Sequence, residues 1–272
     1  MKVSGIITLT TDFGLGDPYV GVMKGVILSI NPQAGIIDIT HEIPPGAILQ
    51  AAAVVEDAHR YFPDGTVHVA VIDPGVGGAR LPLAIEADGS WFVGPDNGVF
   101  GPTLEKKMSI SVIRLEKKEY FLSYISKTFH GRDIFAPVAA HITAGHTIAE
   151  MGQKIKNPVM LSMPQPRIRN DCLYGEVIRV DTFGNLITSI HKADMEHFLQ
   201  EDYPCIRVGS LVVCDVRQIY ASVSKGEPVA LYGSSGFLEI AINAGSARDY
   251  LGLRVRDVLG AEVVVWRSGN RT

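Results

Sequence analysis

Cysteine is scarce in this chain: Cys172, Cys205 and Cys214 are the only three in 272 residues. They are odd in number and lack metal or redox spacing, so they read as buried, inert thiols of a reducing cytoplasm. An excess of one charge sign is also missing. The formal net charge is −4 and no basic run of five residues occurs, which leaves no electrostatic footprint for nucleic acid. No apolar stretch reaches the ~18 residues of a membrane span. The start, Met1-Lys2-Val3-Ser4-Gly5, leads into Ile6-Ile7-Thr8-Leu9 without the apolar core of a secretion signal. The eight histidines form no metal-ligand spacing; His141 and His146, five apart, would not share a helix face. What remains is a soluble globular composition, 46% hydrophobic and 20% charged, expected in the cytoplasm.

Two stretches carry the most information, Thr10-Thr11-Asp12-Phe13-Gly14 and Val71-Ile72-Asp73-Pro74-Gly75-Val76-Gly77-Gly78. Each is a β-branched run ending in an Asp followed by glycine. That is how a strand delivers a carboxylate to the carboxyl edge of an open α/β sheet, where small molecules bind. Asp12-Phe13-Gly14 matches the kinase metal-binding tripeptide, but no other kinase element accompanies it. A carboxylate at such an edge suits a vicinal diol, since its two oxygens can accept both hydroxyl protons. The second stretch is no phosphate loop, because no Gly-Lys-Ser/Thr follows. Arg80 stands seven residues beyond Asp73, and Phe129-His130-Gly131-Arg132-Asp133 supplies a histidine. Asp, Arg and His together can orient a water and take its proton. Gly94-Pro95-Asp96-Asn97-Gly98 reads as a tight turn before a helix, with Asp96 and Asn97 as supports.

The first ~150 residues alternate β-rich and amphipathic runs, the pattern of βαβ units over a mostly parallel sheet. Strands are expected at Ile6–Thr10, Ile36–Thr40, Val67–Ile72, Leu83–Ala87 and Ser109–Arg114. Helices are expected at Tyr19–Ile30, Ala47–Tyr61 and Asp133–Ala144, with Asp17-Pro18 as N-cap and first-turn proline. A Pro-bearing connection from Lys154 to Asn170 divides the chain into domains at 1–155 and 170–272. Short strand-like runs beyond it predict a smaller β-barrel.

The second half holds its own polar motifs. Asp181-Thr182-Phe183-Gly184-Asn185 reads by default as a hairpin turn, yet an aromatic face beside an amide is also what a purine requires. In Tyr232-Gly233-Ser234-Ser235-Gly236-Phe237-Leu238-Glu239, Glu239 sits in an otherwise apolar strand. It points either to solvent or to a ligand ammonium group.

These motifs, in this order and over essentially the whole chain, resemble the S-adenosylmethionine hydrolases, the adenosine-forming hydroxide adenosyltransferases related to fluorinases and chlorinases. The resemblance implies an N-terminal α/β domain, a C-terminal β-barrel and a homotrimer. The substrate would lie between the first domain of one subunit and the second domain of its neighbour. Asp12 would hold the ribose diol, and Asp73, Arg80 and His130 would handle the water. Phe129 would line the reacting carbon, Phe183 would stack on adenine and Asn185 would pair with it, with backbone near Ile242 and Ala244 completing that pocket. Ser234, Ser235, Glu239, Asp17 and Asp181 would serve the amino-acid end. Gly131 occupies the halide-binding serine position of fluorinases. Ser235 and Ile187 stand where halogenating relatives carry Arg and Trp, and Asp73 where they carry a bulkier residue. These departures favour water over halide.

The reaction so implied is displacement at the ribose 5′ carbon of S-adenosyl-L-methionine by water, giving adenosine and L-methionine. A sulfonium leaves as a neutral thioether and needs no general acid, so no metal and no separate cofactor is called for. Whether Asp73 or His130 takes the proton stays open. The alternatives are a halogenase forming a 5′-halo nucleoside and a non-catalytic adenosine or S-adenosylmethionine sensor.

Overall fold

The computed structural model describes residues 3–268, which fall into two compact units that divide between Ser162 and Met163. In the first, β1 (Ile6–Thr11), α1 (Tyr19–Ile30), β2 (Gly35–Thr40), α2 (Ile48–His59) and β3 (Val67–Val71) form parallel crossover units. Then come β4 (Pro82–Ala87), β5 (Ser90–Pro95), α3 (Gly101–Leu104), β6 (Ile110–Leu115), α4 (Ala136–Thr143) and β7 (Gly152–Ile155). The sheet runs β2-β1-β3-β5-β4-β6-β7. Successive residues of a strand face opposite ways, and both faces here are covered. Val67, Val69 and Val71 pack with Met23 and Ile27 of α1 and Ile142 of α4. Ala70 and Ile72 pack on the other side with Ala51 and Val55 of α2 and Leu104 of α3.

The sheet is mixed rather than mostly parallel. β1 pairs parallel with β2 and β3, and β3 with β5, whereas β4–β5, β4–β6 and β6–β7 are antiparallel. The cause is local. Asp88 and Gly89, with φ of 41° and 89°, turn β4 straight back into β5. Asp-Gly is a preferred pair where a two-residue hairpin needs positive φ twice. Two further expectations are corrected. Asp17 does not cap α1: Pro18 holds the cap position in helical conformation and no side chain bonds to the first turn. The helix expected from Asp133 starts instead as a π-turn, Gly131–Phe135, before α4. That turn seats the fully buried Asp133, which accepts from Ser126 N at 2.8 Å and from Arg132 Nε at 2.6 Å.

The second unit contains β8 (Arg167–Arg169), β9 (Cys172–Val180), β10 (Leu186–His191), α5 (Lys192–Leu199), β11 (Pro204–Val208), β12 (Leu211–Cys214), β13 (Pro228–Tyr232), β14 (Phe237–Ile242), α6 (Ala247–Tyr250) and β15 (Glu262–Arg267). Its antiparallel sheet runs β12-β11-β15-β9-β10-β14-β13, with β8 paired to β9. Arg217, just past β12, bridges to Leu231 of β13, so the sheet curls into a nearly closed barrel. Alternate residues such as Val177, Leu186, Ile206, Leu238, Ile240 and Val263 fill its core.

The expectation of three inert thiols fails here. Cys205 and Cys214 form a disulfide, and Cys172 alone is free. The two face each other on β11 and β12. The neighbouring pair carries the ladder bond, Asp215 N to Pro204 O at 2.8 Å. That leaves the cysteines at a position without ladder bonds, where facing side chains stand closest.

Candidate active site

The first unit brings its polar motifs to the carboxyl edge of its sheet. Asp12 follows β1, Asp73 follows β3, and the turn at Asp96-Asn97 follows β5. Asn97 Nδ2 donates to Ile72 O at 2.7 Å and so holds the backbone immediately before Asp73. Asp96, whose pKa burial raises, accepts from Val159 N at 2.7 Å. A cavity of about 310 Å³ opens between these strand ends and the start of the π-turn, lined by Asp12, Phe13, Gly46, Asp73, Phe129, His130 and Gly131 among others.

Arg80 ties Asp73 and His130 into one polar cluster. Its Nε lies 2.9 and 3.0 Å from the two Asp73 oxygens, and its Nη2 also bonds Asp73 Oδ2. The same Nη2 lies 2.7 Å from His130 Nδ1. A guanidinium can only donate, so Nδ1 accepts and the proton of a neutral ring sits on Nε2. Burial, and then the Arg80 charge, lower the His130 pKa, which keeps the ring neutral near pH 7. Phe135 lies beneath the guanidinium, 5.4 Å from ring centroid to Cζ.

The glycine run is fixed by close approach. At Gly77, with φ of 73°, a Cβ would sit 2.2 Å from Lys127 O, so the loop carrying Arg80 can lie against the segment before Phe129 only without a side chain. A Cβ on Gly131 would likewise crowd Met23 Sδ and the Phe129 ring. Asp12 accepts from Gly46 N at 2.9 Å. Burial raises its pKa, partly offset by that backbone N–H. Phe13, Tyr19 and Phe129 form an edge-to-face triangle with centroids 5.2–5.9 Å apart. Phe13 and Tyr19 were not singled out in the sequence as site residues. Asp17 is exposed and does not line the cavity. Among the described residues, no group of three His, Cys, Asp or Glu side chains is arranged to hold a metal ion.

The second unit gathers a separate group. Asp181 Oδ1 accepts from Phe183 N and Asn185 N, and Oδ2 from Asn185 Nδ2, at 2.8–2.9 Å. This carboxylate therefore shapes its own turn. Phe183 is 76% exposed at the turn's tip, whereas Asn185 is buried. Gly184 O accepts from Arg248 N at 3.0 Å, which brings the turn against the segment that follows Ile242 and Ala244. Glu239 does not point to solvent. It is buried and accepts from the Tyr220 hydroxyl at 2.8 Å. Burial, and then that bond, push the Tyr220 pKa well above its usual value. The Glu239 carboxylate lies against Gly233, directly before Ser234 and Ser235. Tyr220, on a short 3₁₀ turn, was missed in the sequence because nothing in its neighbours marks it.

Residues 7–152 match the SAM hydroxide adenosyltransferase N-terminal domain, and residues 175–260 its C-terminal domain. The chain belongs to the SAM hydroxide adenosyltransferase family. Among the relatives of this adenosyltransferase is the (R)-S-adenosyl-L-methionine hydrolase of Thermus thermophilus, 39% identical over 90% of this chain and 94% of that protein. That of Salinispora tropica is 35% identical over 93% and 96%. A fluorinase from an Actinoplanes species is more distant, at 26% over 88% and 91%. An uncharacterised conserved protein of Thermotoga maritima has a similar solved structure, with TM-score 0.88 and 38% identity, covering 96% of this chain and all of that one.

Proposed function

We propose that this enzyme hydrolyses S-adenosyl-L-methionine to adenosine and L-methionine by attack of water on the ribose 5′ carbon. Hydrolase relatives at 34–39% identity over most of the chain support it. One observation carries it further: Asp73, Arg80 and His130 form a bonded cluster on a cavity that also holds Asp12.

The chemistry asks little of the protein. The water oxygen bonds to the 5′ carbon as the carbon–sulfur bond breaks, and the electron pair leaves with sulfur as a neutral thioether. Water must be held in line and lose a proton, which positioning and a base supply. The His130 Nδ1 lone pair is engaged by Arg80, so His130 can donate from Nε2 to the water oxygen but cannot take its proton without releasing Arg80. Asp73 keeps acceptor capacity on Oδ1, which receives only Arg80 Nε. Asp73 is therefore assigned as the proton acceptor. Asp12 takes the ribose diol, and the faces of Phe13 and Phe129 surround the reacting carbon.

In the second unit, Phe183 and Asn185 are assigned to adenine, with the backbone at Ile242 and Ala244. Glu239, Ser234, Ser235 and Asp181 are assigned to the amino-acid end. The exposed Asp17 joins them only in an assembled enzyme. That assembly is a homotrimer whose neighbouring subunits share each site. Support comes from α1, where Tyr19, Val22 and Leu28 are exposed though apolar, as is Leu15 before it; such patches mark interfaces. The setting is the cytoplasm, consistent with the absence, among the described residues, of any helix long and apolar enough to cross a membrane.

The test is incubation of S-adenosylmethionine with the enzyme in ¹⁸O water, with chloride or fluoride present. Adenosine labelled at the 5′ oxygen is expected. A halogenated nucleoside, or unlabelled adenosine, would overturn the reading.

A further inference from the structure

Asp12 stands on a two-residue loop, and one buried histidine touches both ends of that loop, with its ring at Thr11 and its backbone carbonyl at Gly14. Thr11 is fully buried and His41 nearly so. Thr11 Oγ1 lies 2.8 Å from His41 Nδ1 and accepts from Phe13 N at 3.3 Å. At the far end, Gly14 N donates to the His41 carbonyl at 2.8 Å. On its other side, His41 Nε2 lies 3.1 Å from Asp38 Oδ1, an ion-pair distance at an angle that falls short of a hydrogen bond. Lys24 Nζ holds the second Asp38 oxygen at 2.6 Å. A carboxylate facing Nε2 favours the proton there, which leaves Nδ1 to accept from the Thr11 hydroxyl. The polar chain thus runs in one sense, from Phe13 N–H through Thr11 and His41 to Asp38.

We propose that His41 is a positioning residue for ribose recognition, clamping the Asp12–Phe13 loop at both ends and so fixing where Asp12 presents its oxygens. The proposal rests on the reading of Asp12 as acceptor for the diol. Its geometry has a functional edge that mere stability does not require. His41 opens the segment His41-Glu42-Ile43-Pro44-Pro45-Gly46, and Gly46 N is the donor that holds Asp12 Oδ2. One histidine therefore anchors both the loop bearing the carboxylate and the segment bearing its backbone partner. A carboxylate can discriminate a diol only if both hydroxyls meet its lone pairs in line, so a small tilt removes the discrimination while leaving adenine contacts untouched.

The experiment measures dissociation constants of adenosine and 2′,3′-dideoxyadenosine by calorimetry. In the wild type, adenosine is expected to bind the more tightly. His41→Leu is expected to shrink that preference about tenfold, the loss of roughly one charged hydrogen bond, with dideoxyadenosine affinity unchanged within about twofold. Thr11→Val should do the same. His41→Asn, whose Oδ1 can stand in for Nδ1 as acceptor, should restore most of the preference. Adding His41→Leu to Asp12→Ala should change nothing more. If His41→Leu fails to fold, Thr11→Val decides. Wild-type preference in the folded variants, or equal loss for both ligands, overturns the clamp. Preference surviving in Asp12→Ala alone overturns the diol assignment, and the clamp with it. Its collapse there, with His41 and Thr11 variants unmoved, overturns the clamp only.

Discussion

Arg80 Nη2 lies 2.7 Å from His130 Nδ1, and because a guanidinium only donates, this contact fixes which ring nitrogen carries the proton. In the proposed mechanism it makes the histidine a donor towards water and leaves the base role to Asp73. Acidification should break the arrangement, since a protonated ring has no lone pair to offer Arg80.

Turnover should therefore fall on the acid side. The His130 pKa is lowered by burial and then by Arg80, so the neutral ring persists below the usual value. The acid limb of kcat is expected to have its midpoint below about pH 6.5. Arg80→Gln should raise that midpoint, since the cation depresses it. A midpoint that stays put in Arg80→Gln would argue against the contact.

Asp73→Asn and His130→Ala should each cut kcat at least ~10²-fold, the range ascribed to a lost general base or positioning partner. Adenosine affinity should hold within a few-fold, since both residues are assigned to water rather than to the nucleoside. Calorimetry beside product chromatography checks the split. Equal loss of both would mean that these residues serve structure.

If neighbouring subunits share a site, Asp12→Ala and Asn185→Ala homo-oligomers should both be impaired. Unfolded and reassembled together in equal amounts, they should regain activity, with a wild-type pairing in roughly one site of four for a head-to-tail ring. An unchanged rate after subunit exchange, confirmed by mass, would place both residues in one chain's own cleft.

His68 predicts an acid-labile first unit. Its ring stacks on Phe92 with centroids 5.3 Å apart, and burial brings its pKa down to about 3. The unfolded chain binds this proton near pH 6.5 and the folded one does not, so stability is complete above 6.5 and lost as pH falls toward 3. The linkage amounts to about 2–3 kcal/mol by pH 4.5. Urea midpoints between pH 7 and 4.5 should flatten in His68→Gln.

The thiols give a direct chemical check. Native protein treated with iodoacetamide without reductant should gain one carbamidomethyl group, at Cys172, and three after reduction and unfolding. Three additions without reductant would contradict the Cys205–Cys214 bond.

How much of this was legible in advance depended on whether the signal was local. Asp12 and Asp73 announced themselves because a strand ending in Asp with glycine two residues on is a local pattern with a local cause. Arg80 was near enough in sequence to be paired with Asp73, and His130 came from its own motif. The β4–β5 hairpin was also locally written, in Asp88-Gly89, against the mostly parallel βαβ pattern expected of the first ~150 residues. Other features had no local trace. Tyr220 meets Glu239 only through the curl of the barrel, His41 meets Thr11 only because β1 and β2 are neighbours, and a nine-residue spacing between Cys205 and Cys214 says nothing of register.

The π-turn at Gly131–Phe135 bears on how this enzyme can be lost. A π-turn holds one residue more than the α-turn it replaces, and such turns are seldom favoured on their own account. Deleting the extra residue would let the segment close as regular α-helix into α4 with little change of phase, since either kind of turn makes one revolution. The cost would fall instead on what the turn seats. Asp133 holds Ser126 N from within it, and Ser126 in turn holds Phe129 N, so a deletion that displaces Asp133 releases the stretch carrying Phe129 and His130. A one-codon loss here would thus leave the pocket idle in a gene whose other elements are untouched.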